Sequence, residues 1–235
     1  MRGNRKVRLL IGVGIIIFAV IKYCSSAETN PYTGEKQHIA LNEAQEIAMG
    51  LQAAPQMAQQ HGGLYPNENY QTFVDQVGNR LVNNSIAKQT GYKYDFHLLA
   101  DKNTINAFAL PGGQIFITYA LFSKLENEDQ LAGVLGHEIG HVVGRHSAER
   151  IAQGAAAIGQ MLNMSYGRDD ELQSDDLGVK FMIKSNYNPE EMIGVMEILK
   201  AAAGPNRTPE RMSTHPDPEN RVEKIKEAIK KYSRQ

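Results

Sequence analysis

Cysteine is nearly missing from this chain and tryptophan is missing altogether, with Cys24 the only thiol in 235 residues. One cysteine cannot close an intramolecular disulfide framework. A chain of this length holds one ordinary domain with room for a small appendage, and it buries a core without covalent staples. The absence of tryptophan, with few other aromatics, argues against a carbohydrate or base-stacking platform. A dominant charge is also lacking: the net charge of −1 offers no basic field that would recommend nucleic acid as a partner. There is no internal repeat and no low-complexity tract.

Long hydrophobic runs are scarce. The one candidate, "LLIGVGIIIFAVI" from Leu9 to Ile21, follows Arg2, Arg5, Lys6 and Arg8. It is shorter than the ~20 residues that cross a hydrocarbon core, and it fits a signal-peptide apolar region of ~7–15 residues. Ser25 and Ala27 then stand at the −3 and −1 positions of a cleavage site. Against cleavage, Lys22 and Tyr23 follow the run as interfacial anchors would, and a short span is feasible at some mismatch cost. The "IKY" before Cys24 lacks the small residues of a lipoprotein site. Residues 1–27 therefore read as a signal peptide or an N-terminal membrane anchor. Both alternatives place the remainder outside the cytoplasm, either released or membrane-anchored.

Residues 28–40 are polar and punctuated by Asn-Pro and Thr-Gly, so they read as a linker or wrapping arm. The main domain spans 41–235. Asn42 is a candidate N-cap for a helix carrying Ile47, Leu51 and Ala54 on one face, and Pro55 should end or kink it. A second helix is expected from Glu68 to about Ala87, with Phe73, Val77, Leu81 and Val82 inward. "YKYDFHLLAD" (92–101) and "INAFALPGGQIFIT" (105–118) are strand-like around a Pro-Gly-Gly turn, and predict a small sheet of three or four strands with Phe116 and Tyr119 in the core. Beyond Tyr119 the patterns are helical: Glu128 to about Gln153 as one helix, Asp169–Lys184, and helices after Asn188–Pro189 and Asp217–Pro218. A Pro-rich loop spans 203–216. Helices, a small sheet, then helices again make an α+β domain.

The chemistry concentrates in "GHEIGHVVGRH" (136–146). His137 and His141 are four apart and share a helix face, so their ring nitrogens can hold one tetrahedral zinc. Glu138 stands where a general base on zinc-activated water is needed, in the H-E-x-x-H arrangement of metalloproteases. Gly136, Gly140 and Gly144 cost ~1 kcal/mol each against alanine inside a helix, which implies a packing demand for close backbone approach. His146, five beyond His141, turns away on helical phase and is assigned with Arg145 to local hydrogen bonding. His38, His61 and His97 have no partner at ligand spacing and read as structural or surface residues.

A catalytic zinc needs a third protein ligand and an open position. The three-histidine geometry would require a histidine at 147, where Ser147 stands. The alternative draws a carboxylate from a downstream helix, and Glu171 and Asp175 in "DDELQSDDLG" again lie four apart. Glu171 would ligate while Asp175 orients a ligand histidine. With Asp169, Asp170 and Asp176 also acidic, a solvated acidic face accounts for the spacing equally well.

"GHEIGHVVGRH", "ELQSDDLG", "NAFALPGG" and "STHPDPENR", in that combination, resemble the zinc metallopeptidase family of HtpX and the CAAX prenyl endopeptidases. The likeness is to its bacterial periplasmic branch of the BepA and LoiP kind, and it runs from about Asn30 onward. The resemblance implies a zincin-type domain, mainly helical with a small mixed sheet. It implies one Zn²⁺ per chain, with His137, His141 and Glu171 as ligands, Glu138 as base and Asp175 behind them. One departure is visible: the family's E-x-E-A-D segment reads Glu171-Leu172-Gln173-Ser174-Asp175, so the middle acid is a glutamine.

The resemblance also places His215 of "STHPDPENR" close to the zinc, to stabilise the oxyanion or to occupy the open position, with Arg221 as its orienting or charge-stabilising neighbour. Asn106, Ala107 and Phe108 are the candidates for pairing with an extended substrate strand, a core strand being the alternative. The expected function is zinc-dependent endoproteolysis of unfolded or misassembled cell-envelope proteins. The partners are then protein or peptide substrates, no nucleic acid, and a membrane met through the N-terminal segment. The competing reading is a proteolytically idle, chaperone-like or binding module on the same fold.

Overall fold

The computed structural model describes residues 7–15, 17, 27–152, 165–202, 214–215 and 220–234. Residues 7–15 are helical and largely exposed. Among the described residues no helix is long and apolar enough to cross a membrane. In chain order the elements are β1 (Ala27–Thr29), β2 (Lys36–His38), α1 (Glu43–Gln60), α2 (Glu68–Asn83), a 3-10 turn (Ile86–Gln89), β3 (Asp95–Leu99), β4 (Ala107–Ala109) and β5 (Gln114–Thr118). They continue with α3 (Tyr119–Phe122), α4 (Glu128–Val143), α5 (His146–Ala152), α6 (Arg168–Lys184), α7 (Glu191–Ala202) and α8 (Arg221–Tyr232). The domain is mostly helical with small sheets, as the periodicities predict.

Helix α4 is the centre of the molecule. Apart from His137, Glu138 and His141 it is free of polar side chains from Leu131 to Val143, which suits a helix surrounded by protein, and every residue from Gln130 to Val143 is buried. It packs most extensively on α6, with α2, α7 and the sheet around it. The three-stranded sheet has the order β3-β5-β4. Strand β3 runs parallel to β5 with Phe96 opposite Ile115, and β4 runs antiparallel with Phe108 opposite Phe116. Gly112 (φ +80°) and Gly113 (φ +108°) make the β4–β5 turn in a backbone region that side-chain-bearing residues avoid. A Cβ on Gly112 would lie 2.4 Å from the Ile47 Cα, so the turn sits hard against α1.

Asn42 caps α1 as expected, in a reciprocal capping box with Gln45. Three expectations need correction. Of the two outcomes expected at Pro55, an end or a kink, the end does not occur: α1 runs on to Gln60. Both Pro55 and Leu51, whose carbonyl loses its helical donor, lie on the exposed face, where water can serve that carbonyl. The helix expected from 128 to 153 is two helices, because the chain turns at Gly144 and at Arg145, which has φ +58°.

Arg145 does not bond locally either. Its guanidinium reaches Glu46 (3.0 Å from Nε), the Leu41 carbonyl (2.8 Å) and Glu28. The segment read as a linker or wrapping arm contains an antiparallel hairpin, β1–β2, whose side chains close the end of α4. Asn30 Nδ2 donates to the Val143 carbonyl at 2.9 Å and Gln37 Nε2 to that of Gly144, satisfying groups that a helix C-terminus leaves open. Apart from Thr214 and His215, the 203–216 loop lies outside the described residues, as does the Asp217–Pro218 cap.

Candidate metal centre

Two helices cross closely enough for short side chains to meet. Cβ atoms built on Gly140 and Gly136 would lie 2.8 Å from the Ser174 carbonyl oxygen and 3.4 Å from that of Gly178. At that approach the i,i+4 pair of α4, His137 and His141, faces the i,i+4 pair of α6, Glu171 and Asp175. A third contribution is His215, and Arg221 enters from the first turn of α8. Its predecessor Asn220, at φ +65°, takes the left-handed conformation that asparagine tolerates.

His137 Nε2 and His141 Nε2 are 3.0 Å apart. The Glu171 carboxylate spans them, with Oε2 3.4 Å from His137 Nε2 and Oε1 3.3 Å from His141 Nε2. His215 Nδ1 completes the group, 2.9 Å from Glu171 Oε1 and 3.3 Å from His137 Nε2. These donor atoms lie within 4.8 Å of one another and all four residues are buried. His215 Nε2 is buried with no hydrogen-bond partner, and Glu171 Oε2 has only the ion-pair contacts of Arg221 Nη2 at 3.3 Å and His137 at 3.4 Å; a further ligand would serve both atoms. A tetrahedral zinc with bonds of ~2.0–2.1 Å has ligand–ligand edges of ~3.3 Å. The observed separations match that edge, and two imidazoles with one carboxylate are a known catalytic zinc set. The residues present fit a metal ion.

Behind these atoms the cluster residues have supports of their own. His137 Nδ1 meets Asp175 Oδ1 at 2.8 Å, and Asp175 is clamped by Arg221 through Nε (2.6 Å) and Nη2 (2.9 Å). Burial would raise the Asp175 carboxyl, but the guanidinium and His137 outweigh it and hold the group below the usual carboxylate range. Glu171 is likewise driven well below that range: burial opposes ionisation, and His215 and His137 overcome it. Burial also pushes imidazoles towards neutrality, and Glu171 and Asp175 reverse that for His137, which is raised. For His141 burial prevails and the ring is pushed well down.

His146 hydrogen-bonds locally, as expected, but the direction expected of it needs correction. A continuous helix would turn it away, yet the break at Gly144 and Arg145 brings its Nδ1 to 2.9 Å from His141 Nδ1. Its Nε2 meets Gln173 Oε1 at 2.6 Å, so the glutamine in place of the family's middle acid has a defined neighbour. Tyr166 is a residue that no sequence signal singled out. Its ring stacks on His141 at 3.8 Å between centroids, its hydroxyl meets Ser147 Oγ at 2.9 Å, and its N–H donates to the Thr214 carbonyl at 3.0 Å. It thereby ties the segment carrying His215 to the site, and only its place just before the acidic helix could have hinted at that.

Glu138 is fully buried, with Oε1 3.8 Å from His215 Nε2. Strand β4 lies at one edge of its sheet and packs on α4. Asn106, Ala107 and Phe108 are all buried, and Asn106 Oδ1 has no hydrogen-bond partner. The remaining histidines stay outside the site. His61 pairs with Asp101 at 3.0 Å, His97 meets Gln114 at 2.9 Å, and His38 lies in β2.

A buried helix bearing two imidazoles with an intervening glutamate, crossed by a helix that brings a third donor to the same point, defines a zincin-type metallopeptidase. The chain belongs to peptidase family M48, whose profile matches residues 68–159 and 151–229. Among its relatives, the beta-barrel assembly-enhancing protease of Escherichia coli (strain K12) is 28% identical over 232 residues, covering 85% of this chain and 47% of that protein. The mitochondrial metalloendopeptidase OMA1 of Schizosaccharomyces pombe is 28% identical over 243 residues, covering 93% of this chain and 69% of its own length. That of Saccharomyces cerevisiae is 30% identical over 176 residues, 64% of this chain and 50% of the relative. The chain thus spans about half the length of the first of these relatives.

Proposed function

We propose that this chain is a zinc endopeptidase in which His137, His141 and Glu171 hold the metal. A zinc ion there would supply Lewis acidity to the scissile carbonyl and to the attacking water. Glu138 takes the water proton on its carboxylate and passes it to the nitrogen of the leaving amine. Asp175, pinned by Arg221, holds His137 as an Nδ1–H tautomer whose Nε2 lone pair points into the site. His215 belongs to the donor cluster, which supports the reading that it fills the open position in a resting conformation and withdraws when substrate enters. Asn106, just before β4, with Ala107 and Phe108 on it, is the segment for substrate backbone, Asn106 Oδ1 having no hydrogen-bond partner within the chain.

The substrates are unfolded or misassembled proteins of a cell envelope. The basic, apolar N-terminus supports export or anchoring of the domain, and the name of the Escherichia coli relative associates that protein with barrel assembly. The observation that carries the reading is the convergence of two histidines and Glu171 at zinc spacing beside a buried Glu138.

The decisive experiment is cleavage of an unfolded protein such as reduced casein. Chelation should abolish it and added zinc should restore it. Glu138→Gln should keep the metal and lose about 10²–10⁴-fold in rate. A Glu138→Gln protein that cleaved like wild type would remove the proposed base. A wild-type protein that bound zinc and cleaved nothing would favour the idle, binding-only module.

A further inference from the structure

We infer that His146 is a positioning residue for the metal ligand His141, presenting a neutral acceptor that fixes which nitrogen of His141 faces the metal. The inference rests on the reading of His137, His141 and Glu171 as ligands. An imidazole that ligates through Nε2 must carry its proton on Nδ1, and that proton needs an acceptor when the ring is buried. For His137 the acceptor is a carboxylate, Asp175. For His141 it is another imidazole: His146 Nδ1 stands 2.9 Å from His141 Nδ1.

Two facing ring nitrogens can bond only if one is protonated and the other is not. The environment of His146 decides which. Its Nε2 abuts Gln173 Oε1 at 2.6 Å, and an amide oxygen is an acceptor, so Nε2 carries the His146 proton. Nδ1 of His146 is then left with a lone pair and accepts, with His141 Nδ1 at 2.9 Å the nearer donor and the Ser174 hydroxyl at 3.3 Å a more distant second. The chain of donors runs one way, from His141 Nδ1–H to His146 and from His146 Nε2–H to Gln173. His141 Nε2 is thereby left bare towards His137 and Glu171, as a ligand requires.

His146 is not a fourth ligand, since it faces the opposite side of the His141 ring from the donor cluster. Its place depends on the chain turn that precedes it. Arg145 at φ +58° swings His146 back under α4, and the turn is held by Asn30, Gln37 and Glu46. Room for the relay is made by Gly144: a Cβ there would lie 2.4 Å from His146 Nε2 and 2.8 Å from Gln173 Oε1. A middle glutamate at 173 would add a second charge beside the Glu171 ligand, whereas Gln173 supplies the acceptor without one.

The test separates this inference from the metal assignment on which it rests. Zinc affinity of the full chain is measured first, by competition with a chromophoric chelator; a wild type that binds no zinc would defeat the ligand assignment and the relay with it. Given zinc binding, His146→Ala is expected to weaken it by about 10- to 100-fold. His146→Asn places an amide oxygen near the Nδ1 position and is expected to stay within a few-fold of wild type. Equal affinity in wild type and His146→Ala would overturn the relay, and equal loss in both variants would reduce His146 to a packing residue. Nitrogen-15 spectra of zinc-loaded wild type give an answer that needs no variant to fold. His141 should appear as the Nδ1–H tautomer and His146 as the Nε2–H tautomer, and the reverse pattern would refute the assignment.

Discussion

At the scale of single residues, His215 is where geometry and chemistry press hardest on each other. A catalytic zinc site keeps one position open, whereas four protein donors make a closed one. Here a fourth donor, His215 Nδ1, is inside the cluster at 2.9 Å from Glu171 and 3.3 Å from His137. If the resting conformation is closed, only a minor fraction, of order 0.1–10%, is open at any moment. Removing the side chain lifts that restriction, so His215→Ala is expected to raise basal cleavage of an unfolded substrate by about tenfold or more. A fall in turnover with unchanged zinc affinity would instead make His215 a stabiliser of the oxyanion. Sequence reading reached this residue through resemblance, because its place beside His137 and Glu171 joins positions far apart in the chain. His137 and His141 were readable from i,i+4 spacing, a local property of a helix, whereas Glu171 and Asp175 share that spacing with a solvated acidic face and were singled out only by the resemblance. His146 and Tyr166 were not readable, since one depends on a backbone turn and the other on stacking between distant segments.

Elements were readable where periodicity is long and strong. Helices α1, α2, α4 and α6, the three strands of the main sheet and the Asn42 cap all follow from local patterns. The break after α4 did not, because Gly144 and Arg145 carry no helix-stopping signal as strong as proline, while Pro55 carries that signal and is overridden on an exposed face. The glycines of α4 imply close packing, and the structure assigns each a different neighbour. That difference makes a prediction. A Cβ on Gly140 would stand 2.8 Å from the Ser174 carbonyl oxygen and 2.9 Å from its Cα, so backbone must move. Gly140→Ala is expected to cost about 1–3 kcal/mol by overpacking, and to weaken zinc binding by parting the two helices that carry the ligands. Gly136→Ala is the control, since its Cβ would make an ordinary contact 3.4 Å from the Gly178 carbonyl. The gain of ~1 kcal/mol in helix propensity should then leave it near neutral or slightly stabilised. Denaturant unfolding of the metal-free proteins measures both, and equal stability of the two variants would show that the crossing tolerates the methyl.

At the scale of the whole molecule, the end of α4 is held from two distant parts of the chain. The β1–β2 hairpin supplies Asn30, Gln37 and Glu28, and α1 supplies Glu46. The hairpin's short, polar stretch has no hydrophobic period, so only a linker or wrapping arm could be read from it. The centre of this assembly is Glu46, 1% exposed, bonded by Arg145 and by the Tyr92 hydroxyl at 2.9 Å. Burial raises the Glu46 carboxyl above its ordinary value even though Arg145 opposes the shift. A carboxyl raised on folding contributes stability below its unfolded value of ~4.3 and loses it as pH rises through the folded value. Without Arg145 the carboxyl must rise further. Arg145→Met should therefore destabilise the protein by about 3–5 kcal/mol at neutral pH, where an uncompensated buried carboxylate remains. The penalty should shrink towards pH 5, where Glu46 can take a proton. Glu46→Gln in the same chain should recover part of the loss, because no charge is then left to bury. Unfolding midpoints of wild type, both single variants and the double variant at pH 5 and pH 8 give the cycle. A penalty independent of pH, and undiminished by Glu46→Gln, would mean that Arg145 acts through its left-handed backbone rather than through its charge.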